Sequence, residues 1–236
     1  MKFTLTYDGP LPASANKAKN DDKWRIRKEL HPQLADLWAT HPALRQVAEN
    51  RHFPKHGGAT LRQVHHFYPG PVLPDHPTPT DPFPAGVTLT MGQTVGRPSP
   101  PGERQILDLC EPLNKHGGWF APLVRNSFAL HCGLKIVFLR HEEPGKIYQA
   151  GDLDGRIKTL LDALAMPQHK EQVLESGAEN APIYCLLEDD ALVSGLQVES
   201  ERLLNGRGNT RDYVRLNIEV DVRVRLATIY NQSFLG

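Results

Sequence analysis

Between Tyr213 and Leu226 apolar and polar residues trade places at almost every step. Val214, Leu216, Ile218, Val220, Val222, Val224 and Leu226 alternate with Arg215, Asn217, Glu219, Asp221, Arg223 and Arg225. A period of two sustained this long is the signature of a β-strand. One face meets a core and the other carries charge, as in an antiparallel sheet with a solvated face. Whatever else the chain does, it folds around this strand.

The remaining pattern supplies its neighbours. Phe3–Thr6 reads as a short strand, ended by Pro10 and Pro12. Asn20, Asp21 and Asp22 offer helix caps before Trp24, Ile26, Leu30, Leu34 and Leu37, which predicts a helix over 21–39 that Pro32 kinks or splits. Val64–Tyr68, Val87–Met91, Ile106–Cys110 and Phe120–Val124 are short strand candidates. Leu134–Arg140 has a nearly continuous apolar centre, which predicts a strand covered on both faces. Leu153, Ile157, Leu160, Leu161 and Leu164 form one face of a helix that Pro167 ends, with a weaker helix expected at Lys170–Ser176. Ile183–Leu187 and Leu192–Arg202 read as strands, the second with a bulge at Gly195. The expected fold is therefore α+β: a mixed or antiparallel sheet with helices packed on one face.

Ten of the twenty prolines fall within 69–101, a density that excludes a helix interior or a central strand. We read 40–127 as an insertion containing this Pro-rich segment, within a single domain spanning 1–236. Of the three cysteines, Cys110, Cys132 and Cys185, none is spaced for a metal knuckle or a disulfide framework. His65-His66 and His131-Cys132 lack further ligands at finger spacing. With no apolar run of membrane length and no signal-peptide pattern, the expectation is a cytoplasmic protein with buried thiols and no membrane contact.

Lys plus Arg and Asp plus Glu each number 27, so the formal net charge is zero. That excludes a domain-wide basic excess, but the charge is unevenly placed. Residues 152–190 hold nine acidic and three basic side chains, a balance of −6 that the rest of the chain offsets. Lys17, Lys19, Lys23, Arg25, Arg27 and Lys28 form one basic stretch, and Arg207, Arg211, Arg215, Arg223 and Arg225 another. An acidic centre flanked by basic tracks suits a site that holds a cation and binds backbone phosphates.

The acidic centre has internal order. Asp154, Lys158 and Asp162 recur every four residues on the polar face of the helix, and Asp152 lies just before it. Glu188-Asp189-Asp190 follows the short strand Ile183–Leu187. Carboxylates from two different elements match the oxygen ligands that Mg²⁺ requires. The bland alternative is a set of helix-capping and turn carboxylates.

The segment Asp152-Leu153-Asp154, then Lys158, then Asp162-Ala163-Leu164, followed by a strand and Asp189-Asp190, resembles the RusA family of Holliday junction resolvases. The opening strand and Leu11-Pro12-Ala13-Ser14-Ala15-Asn16 resemble that family's start. The resemblance covers about residues 1–20 and 128–226. It implies a Mg²⁺- or Mn²⁺-dependent endonuclease, acting as a homodimer on branched DNA. Asp152, Asp154 and Asp190 would bind metal, with Asp189 or Glu188 in support, and Lys158 would stabilise charge at the phosphorus. Lys17, Lys19, Lys23, Arg25, Arg156, Arg215 and Arg223 are the expected DNA contacts. Gly155 stands where the family pattern has Asn, the connection to Asp190 is longer by 170–181, and residues 40–127 have no counterpart. The alternatives are therefore a DNA-binding descendant with weakened catalysis and an interaction protein that docks a partner through 40–127.

Overall fold

The computed structural model describes residues 1–13, 20–49, 52–54, 106–108, 112–141, 153–175, 177–178, 181–204, 212–225 and 231–234. The Pro-rich segment, the strands expected at Val64–Tyr68 and Val87–Met91, and Cys110, Lys17, Lys19 and Asp152 lie outside the described residues. In chain order the described elements are β1 (Lys2–Pro10), α1 (Asn20–Thr40), α2 (Pro42–Glu49), β2 (His52–Pro54), β3 (Ile106–Asp108), β4 (Leu113–Lys115), β5 (Gly118–Val124), β6 (Leu130–Arg140), α3 (Leu153–Leu164), β7 (Ile183–Leu187), β8 (Val193–Arg202) and β9 (Tyr213–Val224).

The alternating strand β9 sits inside a four-stranded sheet of order β1-β9-β6-β8. It runs antiparallel to both β1 and β6, while β6 and β8 are parallel, so the sheet is mixed. Leu216, Ile218 and Val220 turn to the core face beside Leu5, Tyr7, Ile136 and Phe138. On the other face Thr4, Glu219, Lys135 and Gln197 line up in one row across all four strands. The core face is closed by Ile26, Leu30 and Leu34 of α1 and by Leu160 and Leu164 of α3. Each such side chain contributes about 1.5–3 kcal/mol on burial. A second sheet, β4-β5-β7, has an antiparallel hairpin and a parallel β5–β7 pair, and β2 pairs with β3.

Several expectations are corrected here. Helix α1 runs unbroken from Asn20 to Thr40 with Pro32 inside it. Proline removes one amide donor, but Leu30 before it and Leu34 after it are both buried, and that packing carries the helix through. Strand β6 is not covered equally on both faces: its residues alternate between buried and half-buried. The half-buried ones are His131, Gly133, Lys135, Val137 and Leu139, on the face opposite Ile136 and Phe138. Among the described residues of the helix expected at Lys170–Ser176, the regular structure is a 3-10 turn, Lys170–Gln172. Val173 packs against a core cluster while Leu174 stays 48% exposed, so the segment presents no buried stripe to hold a helix. The bulge at Gly195 is present: Cys132 pairs with Val193 and Gly133 with Gly195, leaving Ser194 as the extra residue.

One edge of the large sheet is covered by α1. The Thr6 N–H donates to Gln33 Oε1 at 2.9 Å, and Gln33 Nε2 donates to the Thr6 carbonyl at 2.7 Å. A side-chain amide thus replaces a further strand, which blunts an edge that would otherwise be free to pair. Cys132 and Cys185 are buried free thiols. No described helix is long and apolar enough to cross a membrane.

Candidate functional site

Helix α3 buries Leu153, Gly155, Arg156, Ile157, Thr159, Leu160, Ala163 and Leu164. The spacing that sends these inward sends Asp154 and Lys158 outward, where both are exposed. Asp162 follows on the same side and is half-buried. The three side chains span about 12 Å along the helix axis, at 1.5 Å per residue.

The C-terminal end of α3 is pinned to the strand that delivers the second acidic group. Ala165 forms a parallel bridge with Leu187, and Met166 N–H donates to the Leu187 carbonyl at 2.9 Å. Glu188, Asp189 and Asp190 come next, and the 3-10 turn Asp190–Leu192 touches α3. Asp162, three residues before Ala165, is thereby brought toward Asp190.

The three acidic residues after β7 are used differently. Glu188 accepts the Asn126 N–H on Oε2 at 2.7 Å, and its own N–H donates to the Val124 carbonyl at 2.9 Å. Its side chain is committed to fixing β7 against β5. Asp189 caps the 3-10 turn, accepting the Ala191 N–H on Oδ1 at 2.9 Å. Asp190 is exposed. Its carboxyl is held above the ordinary aspartate range by partial desolvation first, then by the hydrogen bond and charge of Asp189 and the charge of Asp162. Carboxylates that raise one another's proton affinity in this way are the arrangement that a divalent cation relieves.

The donor chemistry, oxygen from two elements, fits a hard cation. Among the described residues, however, no three His, Cys, Asp or Glu side chains gather closely enough to hold a metal ion. Asp190 is influenced by the charge of Asp162; Asp162 lies about 12 Å along α3 from Asp154, and Asp152 lies outside the described residues. His131 and Cys132 are successive residues of β6, so they face opposite sides of the sheet, and Cys132 is fully buried.

The described candidate phosphate contacts all have acidic neighbours. Lys23 Nζ lies 2.7 Å from Asp162 Oδ2. Arg25 pairs with Asp22 at 2.9 Å and donates to the Pro10 carbonyl at 2.7 Å. Arg215 Nη2 reaches Asp8 Oδ2 at 2.7 Å, and the Tyr213 hydroxyl donates to the other oxygen of the same carboxylate. Arg223 pairs with Asp221 at 2.7 Å. Arg156 is buried and its guanidinium lies 3.4 Å from Asp212, so it faces inward rather than toward a ligand in solvent. Its position explains this, two residues past Asp154 on the inward side of α3. Arg215 and Arg223 stand on the outer face of the large sheet, away from the face that α3 covers. The basic residues next to the acidic group are therefore those of α1, not those of β9.

Two residues left off the expected site belong to it by position. Asp162 carried a readable signal, its place eight residues after Asp154 on the polar face. Arg27 carried none beyond belonging to a basic run. It is buried, and it donates to the Asp162 carbonyl at 2.9 Å and to the Ala165 carbonyl at 2.8 and 3.2 Å. These are carbonyls that the end of α3 leaves without helical partners. No protein-family model, curated protein or solved structure matches this chain.

Proposed function

We propose that the protein is a Mg²⁺- or Mn²⁺-dependent endodeoxyribonuclease of RusA type, acting on branched DNA as a cytoplasmic homodimer. The observation that supports this best is the outward stripe Asp154–Lys158–Asp162 on α3, with Asp189 and Asp190 anchored beside its end by the Ala165–Leu187 bridge. Asp154 and Asp190, with Asp152, would hold the metal, and Asp189 would orient Asp190 from its capping position. A cation bound there supplies Lewis-acid polarisation of the phosphodiester and a water of lowered pKa. Lys158 stands one turn from Asp154 with its ammonium in solvent, placed to stabilise charge that develops on the phosphoryl oxygens.

The test is cleavage of a four-way junction in Mg²⁺ by wild type and by Asp154→Asn. The reading expects junction cleavage by wild type and at least about a hundredfold loss in the variant, the scale of removing one electrostatic stabiliser. Identical background cutting of junctions, flaps and duplex by both proteins would sink it. The second reading, a DNA-binding protein with weakened catalysis, is favoured by Gly155, buried in the first turn of α3 where the family pattern has Asn. Tight, salt-sensitive junction binding without cleavage by wild type would select it.

A further inference from the structure

The two edges of the large sheet are treated differently. The β1 edge is met by Gln33 of α1, which exchanges two hydrogen bonds with the Thr6 backbone. The other edge is β8, and among the described strands only β6 pairs with it. Beyond the bulge at Ser194, residues 195–202 run in unbroken register with β6. Ser194, Gly195, Leu196 and Gln197 are exposed. Leu196 stands on the core side of the sheet beside Leu134, yet is 45% exposed. Val193–Arg202 contains neither Lys nor Pro, residues that commonly keep such an edge from pairing. A regular edge with a half-exposed leucine is suited to pairing with another strand.

We propose that β8 pairs antiparallel with β8 of a second copy of this chain, centred on Gln197, so that two four-stranded sheets join into one of eight strands. The inference rests on the homodimer of the reading given above and assigns its surface; it involves neither metal nor cleavage. The side-chain order of β8 selects both partner and register. A twofold axis through Gln197, normal to the sheet, keeps the two core faces on one side. It sets Leu196 opposite Val198 of the partner subunit, so each exposed leucine meets a half-buried valine. On the outer face Glu199 falls opposite Gly195 of the partner subunit, and no two glutamates meet. A parallel pairing in register would set Glu199 and Glu201 against their own copies, and an antiparallel one centred on Glu199 or Ser200 would also bring glutamates together. Like charges directly opposite are destabilising. The contact closes on itself, and Gln33 blunts the remaining edge of each sheet, so assembly stops at two copies.

The experiment is sedimentation of the full chain over a concentration series, without DNA or added metal. It compares wild type, Leu196→Lys, Gln197→Lys, Gln197→Glu and an equimolar mixture of the two Gln197 variants. The inference expects wild type to dimerise. L196K should weaken self-association at least about a hundredfold, because an apolar contact made twice is lost. Q197K and Q197E each set like charges against one another on the twofold axis and should weaken it about three- to tenfold. Mixing them sets Lys against Glu and should restore association to within about twofold of wild type, or tighter. That recovery separates a lost contact from a misfolded variant. Variants that dimerise as tightly as wild type overturn the inference and leave the homodimer standing on another surface. Single variants that weaken without recovery on mixing also overturn it, because Gln197 then does not face its own copy. Wild type that stays monomeric removes the homodimer reading and this inference with it.

Discussion

At the scale of single residues, burial decides which candidate groups are chemically available. The Cys132 thiol is pushed up to about 12 by desolvation first and then by the charge of Asp221. The Cys185 thiol is pushed up to about 11 by desolvation, partly offset by Arg27. Thiolate is the reactive form, so both should be inert in the folded protein. Alkylation at pH 8 followed by peptide mapping should leave the Cys132 and Cys185 peptides unlabelled until denaturant is added. Rapid native labelling of either would contradict the packing around it. Lys158 is the opposite case, an exposed cation beside an exposed carboxylate. Lys158→Met should lower junction cleavage about a hundredfold or more while leaving the melting temperature within about 2 °C of wild type, because no packing is lost.

Residue-scale reading of the sequence succeeded where spacing alone carries the meaning. Asp154, Lys158 and Asp162 lie on one outward stripe because a period of four forces them there. It failed where a charged side chain faces inward. Arg27 and Arg156 looked like surface cations, and the fold buries both. A basic run in a sequence carries no sign of which members turn to the core, because that depends on which carbonyls and carboxylates a distant segment brings opposite them.

At the scale of elements, α1 and the acidic segment are held together by polar contacts at a few points. Arg27 satisfies two carbonyls at the end of α3, and His31 Nδ1 accepts the Tyr184 N–H at 2.9 Å while its ring stacks on Tyr184 at 5.6 Å. Arg27→Met should cost about 2–3 kcal/mol in a denaturant melt, since buried acceptors lose a charged donor. His31 gives a pH signature. Its proton affinity is lowered by desolvation first and then by Lys28, so the folded state favours the neutral ring. A proton on Nδ1 would also displace the Tyr184 N–H. This contribution is fully present above the unfolded histidine value and is lost as pH falls below it. The melting temperature should therefore decline below about pH 6.5, the ordinary histidine value, and His31→Gln should remove that part of the decline. An unchanged slope in the variant would remove His31 from the account.

Helices and strands with a clear hydrophobic period were legible almost to their ends, as Ile183–Leu187 and Leu153–Leu164 show. What was not legible was partner choice. That β8 would run parallel to β6 while β9 runs antiparallel to both β6 and β1 follows from long-range closure of the chain, for which no local pattern exists. The continuity of α1 through Pro32 is of the same kind, since the packing that holds it comes from other segments.

At the scale of the whole molecule, a neutral chain has separated its charge by position. The acidic residues of α3 and of the turn after β7 have basic neighbours in Lys158 of α3 itself and in Lys23 of α1, which pairs with Asp162. Arg215 and Arg223 lie on the outer face of the large sheet and are engaged with Asp8 and Asp221. A junction bound by the α1 side should lose affinity on neutralising Arg25, with a shallower salt dependence by about one phosphate contact. Neutralising Arg223 should change little. Equal losses from both would place DNA across the sheet face as well.

The central claim is that the carboxylates of α3 and of the segment after β7 share one cation. It is tested most directly by locating Mn²⁺ through its anomalous scattering in crystals of the full chain. The account predicts an ion about 2 Å from carboxylate oxygens of Asp154 and Asp190, absent in crystals of Asp190→Asn. An ion bound elsewhere, or none at saturating Mn²⁺, would contradict it.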